Sequence, residues 1–210
     1  MANDPRKAAI DKVRDGAITM KVGEPADGRI VRTISVADID MYTVHENAIY
    51  RVMLADAIDP ERTNVNLSNS NQKIASSGSN SEIVSRSFLT ASMLFGSSHF
   101  YRNFDKKTII DLSLQVMREL LAAEKIKNEI QSAEKISKES LSPPKDRTFA
   151  IPSVSDLESQ VKTYIQKIEH ASQTLFKFTQ IFYAHKTEMF KGFMKEIESY
   201  FGSDDEFTKF

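Results

Sequence analysis

The chain holds four histidines and no cysteine, so disulfides, thiolate metal sites and cysteine nucleophiles are excluded. His45-Glu46 opens like a zinc-protease motif, but the position four residues on, where the second histidine belongs, is Ile49. Di-metal carboxylate bundles need Glu-x-x-His on their helices. Tyr42, Gly96, Lys167 and Phe182 occupy the glutamate positions ahead of His45, His99, His170 and His185, so that pattern fails as well. His170 and His185 would stand about 22 Å apart on one helix and cannot share an ion. There is no Gly-x-Ser-x-Gly elbow and no phosphate-cradling glycine loop. No metal and no cofactor is expected.

One cluster remains. His45, Glu46, Tyr50 and Arg51 fall close together in a segment whose spacing reads as helical, where Glu46 and Tyr50 are i,i+4 neighbours. Arg86 could join them, and the Asn/Ser-rich stretch 63–81 lies alongside. His45, Glu46, Arg51 and Arg86 are thus the candidate catalytic residues of an enzyme or ligand-binding reading. A solvated helix face is the competing reading of the same pattern.

Charge gives little direction. Lys and Arg number 28 against 29 Asp and Glu, for a net charge of −1, so no general field draws the chain to nucleic acid. On the segment 156–201 lysines and acids alternate in sign, as on a solvated helix face. Nucleic-acid binding is disfavoured. No run of apolar residues is long enough for a membrane span. The charged start, Met1 to Lys7, lacks the apolar core of a signal peptide, and a cytoplasmic setting is expected.

The elements that must position any site follow from periodicity. Ile18–Val22 and Arg29–Val36 alternate and flank a Gly-Glu-Pro-Ala-Asp-Gly turn, which predicts a β-hairpin. Residues 38–57 carry Ile39, Tyr42, Ile49, Val52 and Met53 at helical spacing. The stretch 60–81 is rich in Asn and Ser and predicts turns rather than regular structure. A helix follows from Ser81 to about Phe95. Two long helices then read at about 108–140 and 153–201, separated by a loop containing Pro143-Pro144 and Pro152.

The second helix carries the strongest signal. Leu157, Val161, Tyr164, Ile168, Ala171, Leu175, Phe178, Phe182, His185 and Met189 alternate steps of four and three, the period of a supercoiled seam. A continuous helix over 153–201 would span roughly 73 Å. Paired from the loop backwards, the first arm ends near the level of His185, and the remainder overhangs. That overhang is apolar: Met189, Phe190, Phe193, Met194, Ile197, Tyr200 and Phe201. The last residues, 203–210, form an acidic tail with Phe207 and Phe210.

The expected fold is mainly α. A small α+β N-terminal region with a β-hairpin (1–105) precedes a long antiparallel helical hairpin (106–202) and an acidic, aromatic tail (203–210). The expected function is non-catalytic: an interaction or assembly subunit, oligomeric, contacting itself or a protein partner through the overhang and through Phe207 and Phe210.

Overall fold

The computed structural model describes residues 5–16, 20–37, 40–95, 105–139, 153–182 and 190–202. They form two compact units, Met1–Leu114 and Gln115–Phe210.

In the first unit, helix α1 (Pro5–Arg14) precedes a four-stranded antiparallel sheet, β1 (Ile30–Ala37), β2 (Asp40–His45), β3 (Ile49–Met53) and β4 (Ser70–Ala75), whose spatial order is the chain order. The helix expected over 38–57 is therefore replaced, in its described part, by strands β2 and β3 and the single turn α2 (Ala55–Ile58). The reason is burial on both faces. Tyr42, Thr43, Val44 and His45 are consecutive buried residues, as are Ile49 and Tyr50. A strand covered on both sides loses its period-two alternation, and the apolar positions left over fit a helical stripe by accident. The expected hairpin exists with different partners: β1 pairs with β2 rather than with 18–22, and residues 20–22 lie in no strand. Residues 18 and 19 fall outside the described set. The stretch expected to lack regular structure supplies β4, because an edge strand needs only backbone pairing with β3.

Opposed residues of an antiparallel pair share a face. Ile34, Tyr42, Val44, Ile49 and Arg51 therefore line one face, and Thr43, His45, Tyr50, Val52 and Lys73 line the other. The first face meets the helical stretch α3 (Glu82–Val84), a π turn (Ser85–Leu89) and α4 (Thr90–Phe95). There the fully buried Phe88 packs edge-on against Tyr42, with ring centroids 5.6 Å apart. The opposite face lies under the segment 20–28.

The helical hairpin expected from the sequence is present. Helices α5 (Lys106–Glu139) and α6 (Leu157–Phe182) pack against each other. Ser137 donates to the Ser153 carbonyl at 3.2 Å, and Lys167 pairs with Glu119 at 3.0 Å, so the arms run antiparallel. The last helix is α7 (Phe190–Phe201). Among the described residues no helix is long and apolar enough to cross a membrane.

Candidate functional site

The turn joining β2 to β3 is where three segments converge. His45 N–H donates to the Ala48 carbonyl, Glu46 N–H to Arg29 O and Asn47 N–H to Asp27 O, while Ser79 N–H donates to His45 O and Asn80 N–H to Glu46 O. Such convergence needs small residues. At Gly78 a Cβ would stand 2.6 Å from Ala48 N and Glu46 C, and nearer still to His45 O. Gly23 has φ +83°, and its Cβ would meet His45 Cε1 at 2.6 Å, so a side chain there fails on conformation and on space.

Beneath this turn sits a buried polar centre. Asp27 is 3% exposed and fully engaged: Oδ2 accepts from Tyr50 Oη at 2.6 Å and from Glu24 N–H at 2.7 Å, and Oδ1 accepts from Lys73 Nζ at 2.7 Å. Lys73 chiefly, then Tyr50 and the Glu24 amide, hold the Asp27 carboxyl well below the usual carboxylate range. The same carboxylate pushes the Tyr50 phenol and the Lys73 ammonium up. Lys73 also lies 5.7 Å over the Tyr50 ring. His45 is 2% exposed, with its ring edge-on to Tyr50 at 5.3 Å. Its Nδ1 lies 3.2 Å from Gly28 O, a contact that places the proton on Nδ1. Nε2 is buried without a hydrogen-bond partner among the described residues.

The chemistry open to this arrangement is limited. A phenol whose proton is held by a carboxylate is a poor base. A carboxylate with three donors is a poor nucleophile. What the centre does is fasten the segment 24–28 onto β2, β3 and β4, the three strands that supply His45, Tyr50 and Lys73.

The candidate residues read from the sequence are not gathered in one place. His45 and Glu46 adjoin in the turn, where Glu46 pairs with Arg29 at 2.8 Å. Arg51 lies on the opposite face of the sheet from His45, forked onto Asp40 at 2.6 and 3.0 Å. Arg86 is on the helical stretch, exposed and paired with Glu82. On a helix Glu46 and Tyr50 would be i,i+4 neighbours; here Glu46 lies in the turn and Tyr50 in β3. Asp27 and Lys73 were missed by sequence reasoning. The only sequence sign of Asp27 was its place in the Gly23–Gly28 turn, and Lys73 gave none. Among the described residues no group of His, Asp and Glu has the arrangement to hold a metal ion.

The Asn/Ser-rich stretch is ordered by a second cluster. Arg14, from α1, bonds Asp56 at 2.8 Å, Asp59 at 2.9 Å, and the carbonyls of Asp59 and Asn64. Arg62 bonds Asp11, Asp15 and Asp56, each at 2.9 Å. Asp59 accepts the Thr63 and Asn64 amides, which hold its carboxyl below the ordinary range. Asn69 Oδ1 accepts Ala55 N–H at 2.8 Å. These bonds fix the connector between α2 and β4.

In the second unit, the residues marked for interaction divide. Phe193 is buried, edge-on to Phe176 with centroids 5.6 Å apart. Those residues would lie about 25 Å apart along one straight helix, so α7 does not continue the axis of α6 but lies against it. The overhang is thus partly covered by its own chain. Met194 and Ile197 are half-buried and Tyr200 is exposed. Phe190 and Phe201 begin and end α7; Met189, Phe207 and Phe210 lie outside the described residues. A row of exposed apolar side chains lies on α6: Leu157, Val161, Ile165, Ile168 and Leu175 are 36–56% exposed. At 100° per residue these five occupy an arc of about 80°. Beside that arc, Ala171 and Thr174 are buried and Lys167 reaches Glu119 of α5.

Compared with family models, curated proteins and solved structures, the chain gives no significant match.

Proposed function

We propose that the chain is a non-catalytic interaction or assembly subunit, oligomeric, that works by covering the apolar stripe of α6. A cytoplasmic setting is part of the same proposal. One observation carries it: five large aliphatic side chains exposed in a row on one helix face. Single exposed apolar residues are ordinary; a contiguous stripe marks a contact surface. Full burial of such a side chain is worth about 1.5–3 kcal/mol. The share still exposed on these five leaves roughly 3–7 kcal/mol unrealised in the isolated chain. Tyr200, 82% exposed at the end of α7, adds a polar-tipped aromatic of the kind favoured at interfaces.

The rival reading is an enzyme or ligand-binding protein with a site near residues 45–51 and the Asn/Ser-rich stretch 63–81; Arg51 on the opposite sheet face from His45 speaks against it. Sedimentation velocity across a wide concentration range tests the proposal. A species larger than the 23.7 kDa chain is expected, and a monomer at every concentration counts against it.

A further inference from the structure

We infer that the first unit binds a single buried water molecule, which bridges His45 Nε2 and the Thr43 hydroxyl beneath the segment 20–28. The inference is independent of the interaction reading. It starts from two polar side chains, each more than nine-tenths buried: His45 is 2% exposed and Thr43 5%. Neither His45 Nε2 nor Thr43 Oγ1 has a hydrogen-bond partner among the described residues. Buried polar atoms are almost always satisfied, by protein or by ordered water. The neighbouring polar groups are already committed. Tyr50, which opposes Thr43 across the ladder and meets the His45 ring edge-on, donates its hydroxyl to Asp27, and Asp27 also holds Lys73 and the Glu24 N–H.

The chemistry of the two atoms selects the ligand. His45 Nδ1 donates to Gly28 O at 3.2 Å, so Nε2 is an acceptor and calls for an O–H or N–H donor. The Thr43 hydroxyl can donate or accept. The molecule has to be small, because the segment passes so close over the ring that a Cβ on Gly23 would stand 3.2 Å from Nε2. Thr43 and His45 are alternate residues of β2 on one face, about 6.5 Å apart along the strand. One water making two hydrogen bonds of about 2.8 Å spans up to about 5.6 Å, which is the scale of that spacing. Such a water donates to Nε2 and bonds Thr43 Oγ1, the two partners that a buried water requires at the least. The result is a polar chain from the Gly28 carbonyl through the imidazole and the water to Thr43. It ties the ring on both sides and extends the Asp27 centre across β2.

A crystal structure of the full chain, together with 15N NMR of the His45 ring in solution, tests the site. An ordered water within hydrogen-bond distance of both atoms is expected. The ring should be protonated at Nδ1, with the Nε2 resonance upfield of a bare acceptor nitrogen, the direction in which an accepted hydrogen bond moves it. Thr43→Val keeps the branched shape and removes the hydroxyl, so it should lose the water and return Nε2 to the bare position. Thr43→Ser should retain both. If Thr43→Val does not fold, wild type and Thr43→Ser carry the test. A bare Nε2 in wild type, or a ring protonated at Nε2, overturns the inference. A water and an Nε2 resonance that persist unchanged in Thr43→Val overturn the bridge.

Discussion

Gly78→Ala sets two effects of opposite sign against each other. Gly78 does not sit at a positive φ, so the ordinary consequence of alanine there is a gain of about 0.4–1 kcal/mol through a less flexible unfolded chain. Against this stands the close approach of the β2–β3 turn, where the added Cβ would meet Ala48 N and Glu46 C at 2.6 Å. Ordinary van der Waals contact begins at 3.4 Å, so backbone must move by nearly an ångström. All the neighbours are main-chain atoms, and none can rotate away. The shift works directly on the Ser79-to-His45 and Asn80-to-Glu46 bonds, 2.9 and 3.0 Å long, each worth about 0.5–1.5 kcal/mol. Overpacking of this kind costs about 1–3 kcal/mol, so the net change is destabilising by about 1–2 kcal/mol after the entropic gain. For a chain of this size that is a fall in Tm of roughly 2–8 °C. The control is Gly16→Ala, whose nearest neighbours would lie at 3.4 and 3.5 Å with no positive φ; it should be neutral or stabilising. Urea midpoints and thermal melts followed by circular dichroism make the comparison. If Gly78→Ala matches or exceeds wild type while keeping the same m-value, the convergence of the three segments on His45 is not as drawn.

Three further outcomes follow from the same contacts. The depressed carboxyls of Asp27 and Asp59 contribute stability that is complete above their unfolded pKa of 3.8 and is lost as pH falls through it towards the folded value. Urea midpoints should therefore drop below about pH 4, with a shallower drop in Asp27→Asn, and an unchanged slope in that variant contradicts the lock at Asp27. Phe193→Ala removes the buried ring that meets Phe176. It should hasten proteolysis within 190–201 and leave hydrogen exchange in β2 and β3 as it was; undiminished protection of α7 rules out Phe193 as its anchor. Arg14→Lys keeps the charge but loses the fork onto Asp56 and Asp59. The Thr63 and Asn64 amides should then exchange faster, and equal rates show that α1 does not order the 59–64 connector.

The long helices were legible because their signal is local. Ile109, Val116 and Ala123 on α5, and Leu157 through Leu175 on α6, recur at the period of the backbone itself, whichever partner covers them. Pro143, Pro144 and Pro152 placed the break between the arms for an equally local reason, the missing amide and fixed φ of proline. The sheet was less legible. β2 presents four buried residues in a row, and β4, Ser-Asn-Gln-Lys-Ile-Ala, has the composition of a loop. It is a strand because β3 offers it a backbone ladder, a relation between segments some twenty residues apart that no window of sequence contains.

The candidate site divides in the same way. Sequence drew attention to His45 and to the Gly23–Gly28 turn, each conspicuous in residue type. Tertiary structure decided that they meet, that Tyr50 and Lys73 close on Asp27, and that Arg51 points to the other face. In the second unit, residue types showed the apolar arc along α6. Which part of that arc stays open was settled by α5 packing along α6 and by α7 bringing Phe193 onto Phe176. Periodicity fixes which faces of a helix are apolar, because it is a property of one chain segment. Which of those faces is covered depends on where the other segments go.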